Sequence, residues 1–287
     1  MTVSGAGPAA DSATTDSARA IARIYRESIA PEQGHRSAAT IRRFMPAYTI
    51  DDPAVLAFVI IPLGLVAALL WGVDAAARRL AEPDPVRRRA VAATAAAAAV
   101  WMAGTWMTAD NGVLREWHAS PPPFALLVVA VVALGVAIAF TGYGRRLAVG
   151  LPVWVLIAVQ GFRLPLEVAM HAMFERGVMP VQMSYSGRNF DILTGVSALF
   201  VAWLAARGRG GRWLVLIWNV CGMLLLINVV TIAILSTPRF RYFGEDQLNV
   251  WVTYPPFVWL PAVMVLAALA GHLVVFRAMA MLLRDPK

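Results

Sequence analysis

The residues best suited to chemistry lie between Gln160 and Asp191. Gln160, Arg163, Glu167 and His171 recur at spacings of three, four and four, which a helix aligns in one stripe. The stripe falls inside a long apolar segment. Ionisable groups within a membrane helix are costly, so they face a bundle interior or a watery cavity and have partners there. Arg163 suits a clamp on an anion or a carbonyl group, and Glu167 suits a group that accepts or relays a proton. Pro165 stands between them. It removes one backbone donor and clashes with the preceding turn, which predicts a kink. The expected arrangement is a buried polar site at that kink, opening to the outer face. In the rival reading Arg163 and Glu167 neutralise each other and only lock neighbouring helices together.

Other polar residues fall near the same end of the expected bundle. Asn189 and Asp191 stand where the next apolar segment begins, as candidate N-caps at a helix terminus whose amides can bind an anion. Asn228 and Thr231 share a face of the sixth segment, and Asp246 lies in the loop before the seventh with Glu245, Gln247 and Asn249. The expected ligand-binding set is therefore Arg163, Glu167, His171, Asn189, Asp191, Asn228 and Asp246. His171, Glu167, Asp191, Asp246 and His118 are of types that bind zinc or iron. No HExxH or similar spacing accompanies them, so no metal is assigned and any cofactor stays unknown. Cys221 is the sole cysteine, which rules out an intramolecular disulfide and a cysteine cluster. His272 is expected near the cytoplasmic end of the seventh segment, too far from His171 for a bis-histidine haem, and reads as a satisfied core residue. The Thr141–Gly144 stretch, TGYG, leads into arginines rather than a re-entrant filter loop, and the last span has no lysine for a retinal Schiff base.

The elements that must position these groups are membrane helices. Of 287 residues 59% are hydrophobic and 15% charged, with mean hydropathy +0.65, where a soluble domain is nearer a quarter charged. Seven apolar segments approach the roughly 20 residues that cross a bilayer. They fall at residues 54–73, 90–107, 124–140, 149–173, 191–206, 213–235 and 256–281. The fold class is all-α, a polytopic transmembrane bundle of about seven spans. It occupies residues 51–287, behind a disordered tail and an amphipathic helix in residues 1–50. The net charge of +8 is carried by arginine, Lys287 being the only lysine. Arginines crowd alternate loops, at Arg78 to Arg89, Arg145 and Arg146, and Arg207 to Arg212, and recur at the C-terminus. The positive-inside rule puts those loops and the C-terminus in the cytoplasm of a bacterial inner membrane. Arg36, Arg42 and Arg43 argue against the outer N-terminus that seven spans would require. Membrane lipids are expected partners, nucleic acid is not, and an oligomer or larger complex is left open.

FRLPLE at 162–167, PVQMSYSGRNFDILTG at 180–195, IWN at 217–219, INVV at 227–230, AILS at 233–236, Asp246–Gln247 and PFVWLP at 256–261 together resemble a family of uncharacterised bacterial multi-span integral membrane proteins. The GRNFDILTG stretch is the most specific part. The resemblance covers a little over a third of the chain. It implies a membrane bundle in which the outward polar residues belong together, and no activity. The expected function is binding, and translocation as its extension, of a small polar molecule or ion. The alternatives are an intramembrane enzyme acting on a lipid-like substrate, with or without metal, and a structural subunit of a larger complex.

Overall fold

The structure is a computed structural model that describes residues 52–284. The tail and amphipathic helix expected over residues 1–50 lie outside the described residues. Those described form helices and loops, with no strand among them. Among the described residues six helices are long and apolar enough to cross a membrane, and a seventh apolar helix is shorter.

Prolines and short polar caps set the helix starts. In α1 (Pro53–Arg79) the Asp52 carboxylate accepts from the Ala54 amide at 2.9 Å, and Pro53 occupies the first turn, where no amide partner is needed. Arg78 and Arg79 close that helix against its negative end. α2 (Asp84–Asp110) begins with Asp84 and Pro85 and is built largely of alanine. α3 (Pro123–Phe140) follows Pro122. The loop expected around Arg145 and Arg146 is in fact a helix, α4 (Gly142–Gly150). It is cut off from the next span because Leu151 precedes Pro152 and takes extended dihedrals (φ −106°, ψ 142°), as a residue before proline must. The expected single segment over 149–173 therefore begins only at Val153.

That span is itself broken. α5 (Val153–Ala158) runs into a 3₁₀ turn over Val159–Phe162 and resumes as α6 (Arg163–Glu175). The irregular turn lies N-terminal to Pro165, where the missing proline donor and the ring act on the preceding turn. α7 (Ile192–Ala206) has 15 residues, about 22 Å at the helical rise, short of the roughly 30 Å of a hydrocarbon core. The loop ahead of it folds inward and buries Val178, Met179, Met183, Ser184 and Asn189. α8 (Arg212–Leu235) is continuous, whereas the last span opens with a π turn over Leu260–Val265 before α9 (Leu266–Arg284).

α9 is central and packs along α3, α4 and α8. Around it Ala76, Ile157, Ala198, Val201, Val275 and Ala278 form a core of small and branched side chains that permits close helix approach. At the far end of the bundle from the arginine-rich loops, Phe58, Trp251 and Phe257 meet edge to face, with centroids 5.1–5.6 Å apart. Arg277 donates to the carbonyls of Ala139 and Thr141 at 2.7 and 2.6 Å, so α9 passes the end of α3 at Arg277.

Candidate functional site

The break before Arg163 turns the polar stripe into the centre of the bundle. Gln160, Arg163 and Glu167 are at most 2% exposed, and Asn189 and Asp191 at most 5%. The Arg163–Glu167 ion pair of the rival reading does not form. Arg163 Nη1 instead donates to Asp191 Oδ1 at 2.6 Å, and both oxygens of Glu167 accept from Asn189 Nδ2 at 2.8 and 2.9 Å. Asp191 occupies the N-cap position of α7, yet its carboxylate does not cap a backbone amide. It is taken by Arg163 and by the Thr194 hydroxyl at 3.1 Å, while Asn189 Oδ1 accepts from the Asp191 amide at 3.0 Å. The GRNFDILTG stretch thus supplies Asn189, Asp191 and Thr194 to one network. It also supplies Gly195, where any Cβ would strike the Leu164 backbone of α6.

A second polar group from α8 and α9 faces the same interior. Arg163 Nη1 also lies 3.5 Å from the Gly222 carbonyl. A Cβ on Gly222 would stand 2.6 Å from His272 Cε1, so the guanidinium and the imidazole border one glycine. His272 Nδ1 lies 2.7 Å from Asn219 Oδ1, and Asn219 Nδ2 donates to the His272 carbonyl at 3.0 Å. With its amide nitrogen so engaged, Asn219 can only accept at Oδ1, and His272 must donate from Nδ1. In the neutral ring Nε2 is then an acceptor. Gln160 Nε2 donates to the Ala268 carbonyl at 3.2 Å and rests against Gly271. Asn219, Gly222 and His272 were not part of the expected site. The available signal was that a lone Asn or His within an apolar span faces the interior by default.

Four buried atoms of this cluster have no hydrogen-bond partner among the described residues. They are Arg163 Nε and Nη2, Gln160 Oε1 and His272 Nε2. Nε and Nη2 form the edge of the guanidinium that grips two acceptor lone pairs side by side. The other two atoms are acceptors. An unpaired buried polar group costs about 1–3 kcal/mol, so four in one place define a chemistry that is still to be met.

The remaining predicted residues lie elsewhere. His171 is two turns further along α6. Its Nδ1 faces the hydroxyls of Ser184 and Ser186 at 3.0 and 3.2 Å, its ring stacks on Tyr185 at 4.3 Å, and Glu175 is 3.5 Å from Nε2. Asn228 donates to the Arg188 carbonyl at 2.9 Å and ties α8 to the loop. Asp246 is exposed, as are His118 and Glu116. No three His, Cys, Asp or Glu side chains come together to hold a metal ion among the described residues. No protein-family profile, curated protein or solved structure matches the chain.

The close contact at Gly222 makes the cluster sensitive to a single methyl group. Gly222→Ala is expected to lower stability by about 1–3 kcal/mol, because a rigid ring held by Asn219 must move. The neighbouring Cys221→Ala, at an exposed position, is expected to stay within about 0.5 kcal/mol. Thermal midpoints of the two variants in one detergent compare them directly.

Proposed function

We propose that this polytopic membrane protein binds a small neutral polar molecule, one with a carbonyl oxygen beside an N–H or O–H, at the buried Arg163 cluster. The observation that carries the reading is the set of four unpartnered atoms. The Arg163 fork asks for an acceptor, while Gln160 Oε1 and His272 Nε2 ask for a donor. A primary amide or a protonated carboxylic acid offers both on adjacent atoms. Charge points the same way. Arg163 is paired with the Asp191 carboxylate and has a second, Glu167, close enough to interact with it, so a bound anion would add a third negative charge unless a proton came with it. Glu167, held by Asn189 alone, is the group on which such a proton would be taken up.

The site opens, in this reading, toward the end opposite the arginine-rich loops. Those loops and the C-terminus belong to the cytoplasmic side under the positive-inside rule. Passage of the ligand across the membrane is the natural extension of binding at the broken span.

Acetamide and acetate, matched in size, test the proposal. Acetamide is expected to raise the thermal midpoint of the purified protein in a saturable way. Acetate is expected to do so only as the pH falls, and Glu167→Gln is expected to change that pH dependence. A wild-type midpoint indifferent to acetamide, or an equal shift in an Arg163→Met/Asp191→Leu variant, would reduce the cluster to a lock between helices.

A further inference from the structure

Toward the arginine-rich end, an apolar cavity of about 590 Å³ lies between α1, α2, α3, α4 and α9, and its other end reaches Val159 and Gly271, beside Gln160 of the Arg163 cluster. Its α2 wall combines Thr94, Trp101 and Met102 with Ala90, Ala93, Ala97 and Ala98, whose side chains are too short to close the space to the neighbouring helices. A second apolar cleft of about 820 Å³ continues between α2 and α3 and shares Ala97, Trp101 and Leu134 with the first. Volumes of this size suit a small-molecule ligand. The lining is aliphatic almost throughout, and no acid or base enters it. Its hydroxyl groups gather near one end, where Thr94 Oγ1 and Tyr143 OH lie 3.3 Å apart, with Thr141 nearby.

That same end is cationic. Arg78 and Arg87 pair with Asp74, Arg87 also with Asp84, and Arg146 with Glu82. Arg88, Arg89 and Arg145 are exposed and make no ion pair among the described residues. Arg89 directly precedes the lining residue Ala90, and Arg145 is two residues beyond Tyr143. A hydrocarbon slot among the membrane helices thus ends at hydroxyl groups and then at uncompensated positive charge.

We propose that this slot holds an acyl chain of an anionic phospholipid, with the lipid phosphate against Arg88, Arg89 and Arg145. The chain enters sideways between α2 and α3, where alanines leave the gap. The hydroxyls of Thr94 and Tyr143 lie at the depth where chain gives way to glycerol and ester. Arginines near an anionic headgroup each contribute about fivefold in affinity. The headgroup therefore selects the lipid while the slot sets its position.

Native mass spectrometry of the delipidated full-length protein, titrated with phosphatidylglycerol and phosphatidylcholine of identical chains, tests the proposal. Wild type is expected to retain one phosphatidylglycerol in preference to phosphatidylcholine. Arg88→Gln/Arg89→Gln/Arg145→Gln is expected to bring phosphatidylglycerol down to the phosphatidylcholine level, about fivefold per arginine. Ala97→Phe, which fills both clefts from an exposed position, is expected to weaken both lipids alike. Equal wild-type affinity for the two lipids overturns the proposal. So does a triple variant that keeps the preference, or a folded Ala97→Phe protein that binds as wild type does. Should Ala97→Phe fail to fold, the arginine variant, altered only at exposed side chains, decides the matter.

Discussion

Asp191→Ala is expected to destabilise the protein by about 3–5 kcal/mol, the largest effect of any single polar substitution in the bundle. The change leaves the Arg163 guanidinium, 1% exposed, with the Gly222 carbonyl at 3.5 Å as its nearest partner, and frees the Thr194 hydroxyl. The cost is that of an orphaned charge rather than the worth of the pair. Removing both partners should therefore behave differently. Arg163→Met/Asp191→Leu is expected to unfold within about 1 kcal/mol of wild type, or later, since apolar side chains of similar volume often replace a buried ion pair without loss. Unfolding in mixed detergent micelles measures both. A double variant as unstable as Asp191→Ala alone would mean that the rest of the network, Asn189 and Glu167 included, depends on the pair. A stable double variant gives a folded protein without the guanidinium fork, which is the right control for the acetamide measurement.

The second large effect is expected at Trp251. Its ring is fully buried and packs edge to face on Phe58 and Phe257, which are fully buried as well. Trp251→Ala leaves a cavity among three rings and is expected to cost about 3–5 kcal/mol. Trp213 is 62% exposed on the outer face of α8. Trp213→Ala should change stability by no more than about 0.5 kcal/mol. Comparing the two separates a packed tryptophan from one at the lipid surface, a distinction that composition alone cannot make. If both variants unfold together with wild type, the three rings contribute little, and the loop over residues 236–259 is held by its hydrogen bonds. Those include Gln182 Nε2 to Ser236 Oγ and to the Gln247 carbonyl.

The spans were legible in the sequence because a bilayer demands length and apolarity, and both can be counted. The stripe at Gln160, Arg163 and Glu167 was legible because helical spacing is local. The partners were not. Asp191 reaches Arg163 across 28 residues, and no rule of spacing ranks it above Glu167, four residues away on the same helix. The choice is made by the inward fold of the loop before α7, which brings Asn189 to Glu167 and leaves Arg163 to Asp191. The helix break was half legible. Pro165 announced an irregularity, but the irregular backbone lies one turn earlier, at Val159–Phe162. Pro152 similarly made α4 a helix of its own instead of the start of the next span. His272 stands in the first half of α9 and not near its cytoplasmic end, because the last span runs from Leu260 to Arg284, later than the expected 256–281. The imidazole instead stands beside Gly222, at the level of Arg163.

The alanine composition of α2 also bears on how the chain enters a bilayer. Alanine gains little on leaving water, and α2 is the least apolar of the six long spans. Four residues, Leu80 to Pro83, join it to the strongly apolar α1. Such a pair inserts most readily as a helical hairpin, the first arm carrying the second. Part of what then keeps the second arm in place is formed only after the last span has been made. Trp101 Nε1 donates to the Ala262 carbonyl at 2.8 Å, and Trp259 Nε1 to the Met102 carbonyl at 3.1 Å. Between those two events, which most of the chain's synthesis separates, α2 is a guest of α1.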